Sequence, residues 1–219
     1  MKLDIILPTD LSEITLQQYQ KFVKIDTEEN KDSSFLMHKT VEIFCNLDLK
    51  NIVKIKMVDV KKILAHLNEV FEKKNDLIPT FNLHGKEYGF IPALDEMTLG
   101  EYIDLDETMT DWEKMHKAMG VLYRPIIYKK GSRYKIEEYT GAENNEGFKD
   151  MPLNIVMGAL VFFWNLNNEL LQTTLNYLKK ETKETNMEAY KTLVESGDGI
   201  QASMDLLKGM FPNMTVSLN

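Results

Sequence analysis

Nine residues of this chain recur. Leu11–Ser12–Glu13–Ile14–Thr15–Leu16–Gln17–Gln18–Tyr19 lines up with Leu94–Asp95–Glu96–Met97–Thr98–Leu99–Gly100–Glu101–Tyr102, and Leu, Glu, Thr, Leu and Tyr coincide at five of nine positions. A second match follows in the same order, Met37–His38–Lys39–Thr40–Val41 against Met115–His116–Lys117–Ala118–Met119. The offsets are 83 and 78 residues, a difference that loop-length drift tolerates. Chance can produce matches of this length. The shared order and context favour tandem duplication. Thr15 and Thr98 stand where a hydroxyl can cap a helix, with Ser12 and Asp95 as alternatives one turn earlier. The Leu and Tyr three apart then share one helical face. This is a packing signature and carries no chemistry.

Periodicity fills in the elements. Lys2 to Leu7 alternate as a strand that Pro8 ends. Helices are expected over Leu16–Val23, after a Ser33 or Ser34 cap, and after an Asp59 cap. Phe81 and Leu83, a His84–Gly85–Lys86 turn, then Tyr88 and Phe90 read as a hairpin ended by Pro92. A second hairpin spans Ile126 to Tyr139 around Lys129–Lys130–Gly131–Ser132. Pro152 suits the first position of the longest helix, which runs to Lys180 and is apolar nearly all round in its first half. The expected fold is α+β, mostly helical, from a duplicated strand-helix-helix-helix unit with one or two hairpins. Residues 1–75 form the first unit and residues 76–180 the second, with a hairpin insertion near 126–139. Residues 181–219 form a C-terminal helical extension and tail, with two weaker helices in 183–209. The expected core is Leu16, Tyr19, Phe44, Leu64, Leu67, Leu99, Tyr102, Leu122, Ile155, Leu160 and Phe163.

Charge restricts the partners. Net charge is −8, and of 26 basic residues only Arg124 and Arg133 are arginines. Lysine pairs are scattered, without the clustered forks that displace counterions and read phosphates. Nucleic acid is therefore not expected as the main partner. The longest apolar stretch, Ile155 to Leu166, is too short to span a bilayer, so no membrane is expected. Asp4 and Pro8 interrupt any signal-peptide core, so the chain is read as soluble and unexported. Cys45 is the only cysteine, which suits a reducing compartment.

The chemistry-bearing motifs are out of context. Asp104–Leu105–Asp106–Glu107–Thr108 matches a phosphotransfer motif by letter, but the residues before it read as helix rather than as a buried parallel strand. The acidic run from Asp95 to Asp111 lacks the spacing and turn glycine of a calcium loop. His38, His66, His84 and His116 show no zinc-ligand spacing. No catalytic residue, cofactor or metal ligand is assigned, and the chain is not expected to be an enzyme.

Several stretches together resemble a known family. They are Glu13 to Phe22, Tyr88–Gly89–Phe90–Ile91–Pro92 running into Leu99 to Leu105, Ala118 to Ile126, and Phe162–Phe163–Trp164–Asn165–Leu166. The set resembles small acidic proteins encoded among structural and tail genes of tailed bacteriophages, including crAss-like phages of Bacteroides-type bacteria. The resemblance covers about residues 1–180 and implies a virion component (connector, tail or other particle part) or a tail-assembly factor. It places the chain in the bacterial host cytoplasm, the phage virion or both. Its partners would be other phage structural proteins or a tail client, in an oligomeric assembly. One alternative is a tail assembly chaperone not retained in the particle, for which thirteen methionines offer an adaptable apolar surface. Another is a small host-modifying enzyme.

The candidate partner-binding residues are Trp164, Leu170, Leu171 and Tyr177 on the long helix, and Lys130 and Gly131 at the second hairpin tip. Aromatic anchors of this kind are enriched at interface centres. Arg124 is the candidate for a structural ion pair, with Asp104, Asp106, Glu107 or Asp111 as the expected partner.

Overall fold

The recurring nine residues form the same local structure twice. In the computed structural model, which describes residues 5–31, 33–141 and 145–181, Leu11–Glu13 and Leu94–Glu96 are both single 3-10 turns. Each leads into a helix through a capping box. Thr15 Oγ1 accepts the Gln18 N–H at 3.2 Å while Gln18 Oε1 accepts the Thr15 N–H at 2.9 Å, opening α1 (Leu16–Val23). Thr98 and Glu101 repeat the exchange at the start of α5 (Leu99–Met109). Two orphan donors are satisfied reciprocally in each case, which is why threonine and a side chain with a terminal oxygen recur at this spacing.

The architecture is α+β and mostly helical. Between the two motifs lie α2 (Ser34–Cys45), α3 (Leu49–Ile52) and α4 (Met57–Phe71). Ser33 caps α2 through the Leu36 N–H, and Asn46 ends it in the left-handed region at φ 50°. Asp59 does not cap α4, which starts two residues earlier; it stands in the first turn, where a carboxylate meets the positive helix end. Then come β1 (Thr80–Leu83) and β2 (Lys86–Phe90), α5, α6 (Met115–Leu122), β3 (Tyr123–Lys130), β4 (Arg133–Ile136) and α7 (Leu153–Glu181).

The two hairpins are one sheet. All pairings are antiparallel in the order β1-β2-β3-β4, with β3 starting at Tyr123, earlier than the sequence suggests, so that it pairs with β2 through Phe90↔Tyr123. The second hairpin is therefore the outer half of the sheet, with a register irregularity between Ile126 and Tyr128. The expected strand at Lys2–Leu7 is not formed in its described part, Ile5 to Leu7. A strand needs a neighbour for its backbone groups, and every strand of this sheet comes from residues 80–136. Ile5 and Leu7 instead pack half-buried on the core.

Helix α7 supplies the centre. Its start is stitched to that of α1: the Leu16 N–H donates to the Met151 carbonyl and the Leu153 N–H to the Ile14 carbonyl, both at 2.8 Å. Pro152 stands just before the helix and bridges to Thr15. Leu153 and Ile155 to Leu160 are buried, as apolarity all round requires. One aromatic cluster joins Tyr19, Phe22, Phe44, Phe71 and Trp112, and another joins Phe90, Tyr123, Phe162 and Phe163.

Most expected core residues are inside, but Leu64 and Phe163 are half-buried, and two expectations are overturned. Leu99 and Tyr102 are exposed, although their counterparts Leu16 and Tyr19 are buried. The capping box sets where a helix begins, whereas burial depends on which elements cover it. The expected helices in 183–209 lie outside the described residues.

Candidate interaction surface

Helix α5 is pinned by a polar network around the buried Glu101. Its inward positions are Glu101, Leu105, Thr108 and Met109. The capping box turns the Glu101 carboxylate back toward the helix start, where Oε2 accepts the Thr98 N–H at 2.6 Å and its hydroxyl at 2.7 Å. The other oxygen, Oε1, meets Arg124 Nη2 of β3 at 2.7 Å, with both side chains largely withdrawn from water. Burial alone would push the Glu101 carboxyl up. The Thr98 hydrogen bonds and the Arg124 charge outweigh it and hold the carboxyl below its ordinary value. The Arg124 guanidinium also lies 5.8 Å from the centre of the Tyr139 ring. The Tyr139 hydroxyl in turn donates to Asp104. Burial and this hydrogen bond to a carboxylate push the Tyr139 phenol up.

This corrects the expected ion pair. Arg124 binds Glu101 and none of Asp104, Asp106, Glu107 or Asp111. Asp104 joins only through Tyr139. Asp106 and Glu107 are exposed, and Asp111 lies 3.9 Å from Lys114. The contact is single rather than forked, and among the described residues Arg124 Nε is buried without a partner. The capping box was legible in the sequence. That its glutamate also serves Arg124 depends on the tertiary structure, which brings the start of β3 to the start of α5.

With Glu101 and Leu105 facing in, the opposite stripe of α5 faces out. Leu99 is 74%, Tyr102 60% and Ile103 45% exposed. In α1 the equivalent stripe is Leu16 at 0%, Tyr19 at 9% and Gln20 at 6%. There Tyr19 meets the Trp112 ring edge-on at 4.7 Å, and the Gln20 amide donates to the Trp112 carbonyl at 2.7 Å. Residue 103 is isoleucine where residue 20 is glutamine, so the exposed copy is the more apolar of the two. Asp95, Glu96, Asp106 and Glu107, all exposed, rim this stripe in sequence.

The sequence-selected residues fall elsewhere. Trp164 is half-buried and packs against the core, with its indole N–H buried and without a hydrogen-bond partner among the described residues. Leu170, Leu171 and Tyr177 lie on α7, but their side chains are outside the described residues. Lys130 and Gly131 sit exposed at the β3–β4 turn, where Gly131 supplies the positive φ of 62°. The Asp104–Thr108 run is helical, inside α5, and not at the end of a strand. His116 is buried, its Nδ1 3.3 Å from the Gln20 amide and its Nε2 3.2 Å from Glu146 Oε1, off the line of a good hydrogen bond. Burial pushes the Cys45 thiol up to about 11. Among the described residues, no group of three or more His, Cys, Asp and Glu side chains could hold a metal ion. Among them also, no helix is long and apolar enough to cross a membrane.

A second surface feature had no signal in the sequence. An open groove of about 480 Å³ runs between Ile5–Leu7 and the start of α4. Ile5, Leu7, Ile55 and Ile63 make it apolar, and Lys54, Lys56 and Lys62 rim it with Asp59. Residues distant in sequence build it, so no local pattern could reveal it.

Comparison with protein-family models, with curated proteins and with solved structures finds no match.

Proposed function

We propose that this chain acts without catalysis, through protein–protein contact, as a component of a tailed-phage particle. The setting rests on the resemblance of its sequence to proteins of phage structural and tail genes. The mode of action rests on one observation: α5 holds Leu99, Tyr102 and Ile103 out to solvent while the Glu101–Arg124 ion pair ties its other face to the start of β3. A pre-ordered apolar stripe binds with little further loss of conformational freedom. Aromatic side chains at such a centre are the usual energetic anchors. The methionines lend the chaperone alternative little support, because Met109, Met115, Met119, Met151 and Met157 are buried core residues.

The test is particle composition. Mass spectrometry of purified particles should find the chain in stoichiometric amount. A folded Leu99→Asp, Tyr102→Asp variant, supplied in place of the natural chain, should be lost from them. A chain absent from finished particles would favour an assembly chaperone. A variant incorporated normally would remove α5 as the contact surface.

A further inference from the structure

Two surfaces without a partner among the described residues complement each other. One is convex, a helix stripe of Leu99, Tyr102 and Ile103 flanked by Asp106 and Glu107. The other is concave, an isoleucine- and leucine-lined groove rimmed by Lys54, Lys56 and Lys62. The stripe belongs to α5, the groove to the start of α4, the residues just before it and the segment before α1, and they share no residue. We propose that this chain associates head to tail with a second copy of itself, the α5 stripe of one molecule seating in the lysine-rimmed groove of the next. The inference rests on the reading of α5 as a contact surface and names what it contacts.

Three physical points favour this occupant. The first is charge. The chain carries a net −8, so unspecific approach of two copies is repulsive. Setting Asp106 and Glu107 against Lys54 and Lys56 replaces that repulsion with attraction in one orientation, which selects the register. Those lysines are exposed, and neither has a carboxylate within 4.0 Å among the described residues, whereas Lys62 already lies 3.5 Å from Asp59. The second is shape. A groove of this volume lies in the range, about 300–1,000 Å³, that takes a small ligand or a few large side chains. The third is chemistry. The fold already covers one copy of the recurring helix, packing Trp112 and Phe71 on Tyr19. The second copy has the same Leu and Tyr with a more apolar neighbour, and the groove offers aliphatic side chains to it. Because stripe and groove are different surfaces, the contact is heterologous and its repetition gives a ring or a filament.

Sedimentation of the full chain over a range of concentrations tests this, with two variants checked for native circular dichroism. One, Leu99→Asp with Tyr102→Asp, spoils the stripe and leaves the groove. The other, Lys54→Glu with Lys56→Glu, reverses the groove rim and leaves the stripe. The unaltered chain should form concentration-dependent species larger than a monomer, and each variant alone should associate about ten-fold more weakly or worse. Mixing the two variants should restore a dimer and nothing larger, since only one good groove and one good stripe can meet. An unaltered chain that stays monomeric at several hundred micromolar overturns the proposal. So does association untouched by either variant, or a mixture in which no dimer returns. Loss of the stripe variant from particles despite a monomeric chain would reject self-association while leaving α5 as a surface for a different protein.

Discussion

Glu101 Oε1 lies 2.7 Å from Arg124 Nη2, and the same carboxylate closes the capping box of α5. One side chain thus starts the helix and docks it on β3. Removing the carboxylate strands a guanidinium that is only 13% exposed. Glu101→Ala should therefore cost about 3–5 kcal/mol, against about 1 kcal/mol for Thr98→Ala, which loses only the cap. Urea denaturation of the two variants measures the difference. Arg124→Lys should retain part of the stability, because the contact is single and a lysine can place a charge there.

The same pair has a pH signature. The Glu101 carboxyl is held below its ordinary 4.5 in the folded chain, so the unfolded chain takes up the proton first. Its contribution is complete above 4.5 and is lost as pH falls through the lower folded value. Melting temperatures of the natural chain and Glu101→Gln, followed downward from pH 6, should converge over that window. Curves that stay parallel would show the pair to be energetically silent.

His116 adds a second acid-sensitive step at higher pH. Burial, helped by the Lys149 charge, outweighs Glu146 and holds the imidazole below its ordinary 6.5. The unfolded state then binds the proton more readily, so stability declines as pH drops below 6.5. Replacing His116 with glutamine should flatten the stability curve between pH 7 and 5, whatever it does to stability at pH 8.

Tyr19 and Tyr102 occupy the same place in the recurring motif and should respond very differently to truncation. Tyr19→Ala removes a buried ring from Phe71 and Trp112 and should cost about 3–5 kcal/mol. Tyr102→Ala removes an exposed ring and should stay within about 0.5 kcal/mol of the natural chain. Thermal melts of both give the comparison.

Gly158 lies where α7 passes under the backbone of residues 76–77. A Cβ there would stand 2.3 Å from the Asp76 carbonyl oxygen. Alanine favours a helix by about 1 kcal/mol over glycine, but overpacking against backbone costs about 1–3 kcal/mol. Gly158→Ala should therefore lower the melting temperature. A rise would mean that the 76–77 loop gives way freely.

Sequence and structure divide along the range of the interactions. The capping threonines, the Ser33 cap, the hairpin over residues 80–90 and the buried first half of α7 were legible, because each depends on groups within a few residues or on one helical period. The failures share a different cause. The alternation of Lys2 to Leu7 resembles a strand, but among the described residues no neighbouring strand reaches Ile5 to Leu7. The sequence pairs Arg124 with Asp104, Asp106, Glu107 or Asp111, whereas its partner is Glu101, whose carboxylate also closes the capping box.

The amino-acid sequence by itself determined that the motif containing Thr15 and Thr98 would start two similar helices, since a capping box is closed by side chains three residues apart. Only the tertiary structure decided that Tyr19 would be covered by Trp112 while Tyr102 would face water. Burial is set by which distant segment packs over a helix, and Leu16 and Leu99 carry the same side chain into opposite surroundings. The lysine-rimmed groove has the same origin, because Ile5 and Ile63 become neighbours only once α4 has packed.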